Sequence, residues 1–197
     1  MKQKKLSAKN SDPKGFTLLE IIVSLSLFVI IVILVNEIYA ASQRSYDQNS
    51  GQGELSQNVR VSFDRMSREL RQSNSIITAL PASKDDPSNP PAEQLFFQDG
   101  HDADLITYIR YYLNGSDLMR QSKAYYFDTD PSTYVAYNSL DYGGYPPNEL
   151  VIDDRIIGEY FNGIKFWGSN GVINMELNLL KNQNSLNIET LIYSRNR

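Results

Sequence analysis

The feature that most constrains this chain is an uninterrupted apolar run. Phe16 to Val35 is twenty residues long and contains one ionisable side chain, Glu20. At 1.5 Å rise per residue a helix of that length spans about 30 Å, the thickness of a bilayer core. No small water-soluble fold can hide such a segment, so it predicts a transmembrane helix over 16–37. Lys2, Lys4, Lys5, Lys9 and Lys14 precede it, opposed by Asp12, so residues 1–15 carry +4 and the rest of the chain −8. Positive charge ahead of the span predicts a cytoplasmic N-terminus and an extracytoplasmic remainder, a single pass through the inner membrane. An acidic remainder without a basic cluster argues against nucleic acid as the main partner. The chain has no cysteine, which excludes disulfides and thiol chemistry.

Glu20 is the anomaly inside the run. An ionised side chain at the centre of a membrane helix costs roughly 2.5–3.5 kcal/mol on insertion scales, and such a residue calls for a partner. The bland reading is that Glu20 snorkels to the interface. Its surroundings favour another. Gly15-Phe16-Thr17-Leu18-Leu19-Glu20, behind a basic leader and ahead of an apolar helix, resembles the processing signal of type IV prepilins and pseudopilins. The resemblance implies that a prepilin peptidase/N-methyltransferase cuts after Gly15 and methylates the new N-terminus, Phe16. It also implies other pilins or pseudopilins, an inner-membrane assembly platform and the lipid bilayer as partners, and association with a filament after assembly. After cleavage the Phe16 amine and Glu20 stand at i and i+4 on one helix face. They can pair within one chain, or between chains, where the pair would set axial register. Ala40-Ala41-Ser42 offers a competing secretory cleavage site, which would leave an N-terminus near Gln43, but Asn36 and Glu37 intrude before it.

Helical signals continue past the membrane. No proline occurs between Phe16 and Leu80, and Leu55, Val59, Phe63, Met66 and Leu70 form one apolar stripe, with i,i+4 charge pairs such as Arg65–Glu69 beside it. The pattern predicts one helix from Phe16 to about Ser73, weakened at Gly51 and Gly53, with 38–74 as its extracytoplasmic continuation. Residues 81–93 hold four prolines and three carboxylates and read as a loop. Residues 75–197 read as a β-rich domain, with strands at 94–98, 105–113, 118–127, 164–167, 172–180 and 186–193. Asn114-Gly115 is expected at the centre of a type I′ hairpin turn. The fold class is α+β: a long N-terminal helix packed on a C-terminal antiparallel β-sheet, whose strands each present one apolar face to the helix.

Leu55-x-x-x-Val59-Arg60-x-x-Phe63-Asp64-Arg65-Met66-x-x-Glu69-Leu70-Arg71 and the hairpin Tyr108 to Arg120 are similar to J-type minor pseudopilins of type II secretion. Competence and pilus minor pilins share several of these features. Little in the chain points to catalysis: His101 is the one histidine, and there is no Gly-x-Ser-x-Gly. Asp99, Asp102 and Asp104 crowd one loop, but their spacing fails the EF-hand pattern, and no metal, cofactor or catalytic residue is assigned. Tyr125, Tyr126, Tyr134, Tyr137, Tyr142 and Tyr145 fall in one segment with glycines and prolines. Tyrosine is enriched at interfaces, so this segment is a candidate subunit or cargo contact. Packing of the rings on the sheet is an equal reading. The alternative function is a signal-anchored extracytoplasmic enzyme or carbohydrate-binding protein.

Overall fold

A computed structural model describes residues 15–102 and 105–194. The chain divides into two compact units, Met1–Asp47 and Gln48–Arg197. One long helix, α1 (Leu18–Gln72), supplies residues to both.

In the first unit α1 runs without a break, and residues 15–39 are exposed throughout. It is the one described helix long and apolar enough to cross a membrane. Two of its polar side chains are satisfied within the helix. The Ser26 hydroxyl donates to the Ile22 carbonyl and the Asn36 amide to the Val32 carbonyl, each at 2.8 Å. That back-bonding lets polar residues sit in an apolar stretch without a stranded donor.

In the second unit the outer part of α1 lays its stripe on two sheets. Leu55, Val59, Met66 and Leu70 are buried, and Phe63 packs at the edge of the same core. The first sheet has the order β1 (Ser75–Ile76), β2 (Leu95–Gln98), β3 (Thr107–Asn114), β4 (Asp117–Tyr126), β5 (Asn148–Gly158), all antiparallel. The second has the order β6 (Phe161–Ser169), β7 (Val172–Lys181), β8 (Asn184–Tyr193). Leu95, Phe97, Ile109, Tyr111 and Leu118 from the first sheet meet Phe161, Ile164, Phe166, Met175 and Leu177 from the second in one core with the helix stripe.

Four details differ from the sequence-based expectation. The β region forms two sheets instead of one. A single isolated bridge, Ala92↔Phe166, ties the proline-rich connection to β6. Its two backbone bonds measure 2.9 and 2.8 Å. Second, β5 has no counterpart among the expected strands. Third, the β3–β4 turn is shifted by one residue. Asn114 pairs with Asp117, so Gly115-Ser116 is the two-residue loop, and Gly115 alone takes a positive φ, 62°. That is the type II′ pattern. It keeps Leu113 opposite Leu118; the expected turn would set Leu113 against Ser116. Fourth, the strands do not all bury one face only. In β3 both Tyr108 and Ile109 are buried. Ile109 belongs to the core under the helix, and Tyr108 is covered on the opposite face by the tyrosine segment, where the Tyr137 backbone N–H donates to its hydroxyl at 3.1 Å.

Candidate functional site

The candidate site is the start of α1. Gly15, Phe16 and Thr17 precede the helix, whose first residue is Leu18. Thr17 is therefore the N-cap and Glu20 the third helical residue. The Thr17 hydroxyl accepts from the Glu20 backbone N–H at 3.3 Å. In return the Glu20 carboxylate accepts from the Thr17 backbone N–H at 2.9 Å and from the Thr17 hydroxyl at 3.0 Å. This is a reciprocal capping box, which satisfies two of the backbone donors that every helix start leaves open. The first intrahelical bond follows directly, from the Ile21 N–H to the Thr17 carbonyl at 3.2 Å. The Thr-x-x-Glu spacing is the sequence signature of such a box.

This geometry sets out what the segment can do. The Gly15–Phe16 peptide lies one residue outside the capped helix, on backbone free of helical hydrogen bonding. A Cβ added to Gly15 would meet nothing within 4 Å, and the Phe16 side chain is 84% exposed. A protease needs access to the peptide it cuts, and both residues of this one are exposed. The Glu20 carboxylate already faces the N–H one residue beyond Phe16. Cutting after Gly15 would create a charged amine next to it.

The remaining candidate residues are distributed over the second unit. Tyr125 and Tyr137 join Phe96 and Tyr108 in a ring cluster with centroid separations of 5.4–6.5 Å. Tyr125 also donates to Glu149 at 3.4 Å. Burial, then the Glu149 charge, pushes its phenol up to about 12. Tyr126 and Tyr134 are half-buried. Tyr142 stands fully in solvent and Tyr145 is largely exposed, at the tip of the segment. The turn there is fixed by Asp141, which accepts from the Gly143 and Tyr145 backbone N–H groups at 2.8 Å each. The structure thus separates two packing rings from two projecting ones. His101 is exposed, and its backbone N–H donates to Asp99 at 3.1 Å. Asp104 lies outside the described residues. Among the described residues no three His, Cys, Asp or Glu side chains are grouped to hold a metal.

One constellation is announced in the sequence only by its Arg65–Glu69 pair. Glu69, on α1, is gripped by three donors. Arg120 Nε lies 3.0 Å from both carboxylate oxygens, the Tyr111 hydroxyl donates at 2.5 Å, and Arg65 Nε stands at 3.4 Å. Arg120 also reaches Asp153 on β5 at 3.5 Å. Burial disfavours the Arg120 charge, yet the Glu69 carboxylate outweighs it and holds the guanidinium above its ordinary value. Burial, then the charge of Glu69, drives the Tyr111 phenol well above its ordinary range. The cluster is a clasp between α1 and the first sheet. Its members lie far apart in sequence, and only the Arg65–Glu69 pair announces itself by spacing.

Comparison with curated proteins gives no match. A family model does match at the N-terminus, over residues 10–36, and covers Lys14, Gly15–Glu20 and the apolar run to Val35. The capped, accessible start of α1 thus coincides with a prokaryotic N-terminal methylation motif, the processing motif of type IV pilin-like precursors.

Proposed function

We propose that this chain is a minor pilin or pseudopilin subunit. It is cut after Gly15, methylated on Phe16 and assembled through its apolar helix into a short filament or filament tip. The observation that carries the reading is the matched motif on an accessible Gly15–Phe16 peptide, directly ahead of a helix whose first turn is closed by Glu20. Glu20 then has two roles in sequence. It caps the helix of the precursor, and it pairs with the new amine in the processed subunit, because an unpaired carboxylate in lipid is costly. None of Gly15, Phe16 and Glu20 is catalytic in this chain, and the chain is not an enzyme. Residues 16–37 span the inner membrane with the N-terminus in the cytoplasm, and residues 38–197 lie outside. Within this class we favour a J-type minor pseudopilin of type II secretion, on the helix pattern Leu55 to Arg71 and the hairpin of β3 and β4.

Glu20→Ala tests the assembly role. The chain is expressed beside a complete pilus or secretion assembly system, and filaments are sheared off and probed for it. The variant should be made, processed and folded normally, as read by protease resistance of the second unit, yet be depleted at least tenfold from the sheared fraction. Equal incorporation of variant and parent would refute the pairing role. Ligand turnover or glycan binding by the chain, with indifference to Glu20→Ala, would support the alternative of an anchored enzyme or lectin.

A further inference from the structure

The last strand of the first sheet, β5, is an open edge that carries exposed apolar residues beside its charged ones. It is eleven residues long, and β4 is its one neighbour. At about 3.3 Å per residue it offers roughly 35 Å of strand, with every second backbone N–H and C=O turned away from the sheet. Natural edge strands are usually short, charged or covered, because an open edge templates pairing with another chain. Here Leu150, Val151, Ile152 and Ile156 are 39–52% exposed. The β4–β5 register slips between Ser122 and Lys123, leaving Ile152 without a partner on β4. A bulge can guard an edge by turning a charge outward. This one leaves three consecutive apolar side chains exposed.

The surroundings are acidic. Residues 127–158 contain Asp128, Asp130, Asp141, Glu149, Asp153 and Asp154 against Arg155; of these, Glu149 is met by Lys123 at 2.7 Å, and Asp153 by Arg155 at 3.1 Å and Arg120 at 3.5 Å. Neutral donors hold four of these carboxylates and leave their charge in place. Asn148 donates to Asp128 at 2.7 Å, Ser132 to Asp130 at 2.7 Å, and Gln121 to Asp154 at 2.7 Å, while Asp141 takes backbone N–H groups. The other long edge, β8, differs. Its burial alternates regularly, its register with β7 is unbroken, and its Glu189 is met by Lys84 at 2.5 Å.

We propose that the free edge of β5 is a docking strand for an extended segment of another protein in which apolar residues alternate with Lys or Arg. Strand addition supplies main-chain hydrogen bonds for affinity. Leu150, Val151, Ile152 and Ile156 give the apolar positions their contact, and the carboxylates held only by neutral donors, Asp128, Asp130, Asp141 and Asp154, select for cations. The inference concerns the unit Gln48–Arg197 alone and stands whether or not the chain enters a filament.

The probe is a dye-labelled ten-residue peptide alternating Val and Lys, added to the full chain in mild detergent. Two control peptides replace Lys by Glu, or carry N-methyl groups on alternate backbone amides. The Val-Lys peptide should bind, protect amides in 148–157 from hydrogen exchange, and weaken as salt rises. Leu150→Lys with Ile152→Lys should weaken it at least tenfold, while Leu191→Lys on β8 should leave it within twofold. Equal binding of either control peptide, protection on β8, or unchanged binding by the β5 variant would each overturn the proposal. So would sedimentation showing that the chain pairs with its own copies through β5 and that the peptide fails to compete.

Discussion

Removing Glu69 is the perturbation whose cost the structure fixes best. Its side chain is 18% exposed and that of Arg120 is 11% exposed, so solvent screens the pair weakly. Glu69→Ala strips Arg120 of its closest acceptor and leaves the hydroxyl of Tyr111, a fully buried residue, without its own. Breaking a buried pair by deleting one partner costs about 3–5 kcal/mol, because the surviving charge stays desolvated. Asp153 remains 3.5 Å from Arg120 and recovers part of that, which places the expected loss near the lower end, about 3 kcal/mol. With a urea m-value of roughly 1–3 kcal/mol/M, the unfolding midpoint should fall by about 1–3 M. The assay is urea unfolding of the full chain in mild detergent, followed by near-UV circular dichroism. A second variant, Glu69→Ala with Arg120→Met, removes the stranded charge and should regain part of the loss, since apolar replacement of a whole buried pair is often near neutral. A loss below about 0.5 kcal/mol for Glu69→Ala, the range of an ordinary surface change, would refute the clasp.

Three further outcomes follow from the second unit. A Cβ on Gly158 would stand 2.5 Å from Ser62 Oγ and 2.6 Å from the buried Phe161 ring; Gly158→Ala should therefore destabilise by about 1–3 kcal/mol through overpacking, read by the same urea unfolding. Tyr125 has a folded-state value pushed up to about 12 by burial and Glu149. Its stabilising contribution is therefore full below the ordinary tyrosine value of about 10 and lost as pH rises toward 12. Phenolate absorbance should show a late step that Tyr125→Phe abolishes. The Lys181 ammonium bonds to Glu54, holding the carboxyl below its ordinary value and the ammonium above its own. The carboxylate's contribution is present above the ordinary Glu value and lost as pH falls through the lowered one. The ammonium's is present below the ordinary Lys value and lost as pH rises through the raised one. Lys181→Met should flatten stability in the acid window, and added salt should mimic it, as measured by thermal unfolding across pH.

The helix and most strands were legible because their signals are local. The apolar run, the stripe Leu55–Val59–Met66–Leu70 and the alternation in β7 each follow the period of the element they form. β5 was not legible, because its burial does not alternate: only Gly158 is buried along it, and its register with β4 is broken twice. An edge strand with apolar residues on both sides carries no period-two signal. The division into two sheets was equally hidden, since strand spacing gives pairing between neighbours and says nothing about where pairing stops. At the candidate site, Gly15, Phe16 and Glu20 could be singled out because the matched motif and a helix start are both contiguous in sequence. The Glu69–Arg120–Tyr111 clasp could not, because it joins residues 42 and 51 positions apart. The tyrosine segment was readable as a group. Its split into packed Tyr125 and Tyr137 and projecting Tyr142 and Tyr145 depends on the Asp141 turn and on Tyr108 beneath it.

The central claim is that Gly15–Phe16 is a processing site, and the most direct measurement is the N-terminus itself. The chain is co-expressed with a prepilin peptidase, purified, and analysed by intact mass and N-terminal sequencing beside Gly15→Ala. A mature chain beginning at methylated Phe16, absent from the Gly15→Ala sample, is the predicted result. An uncut chain, or one that begins near Gln43, would contradict the account.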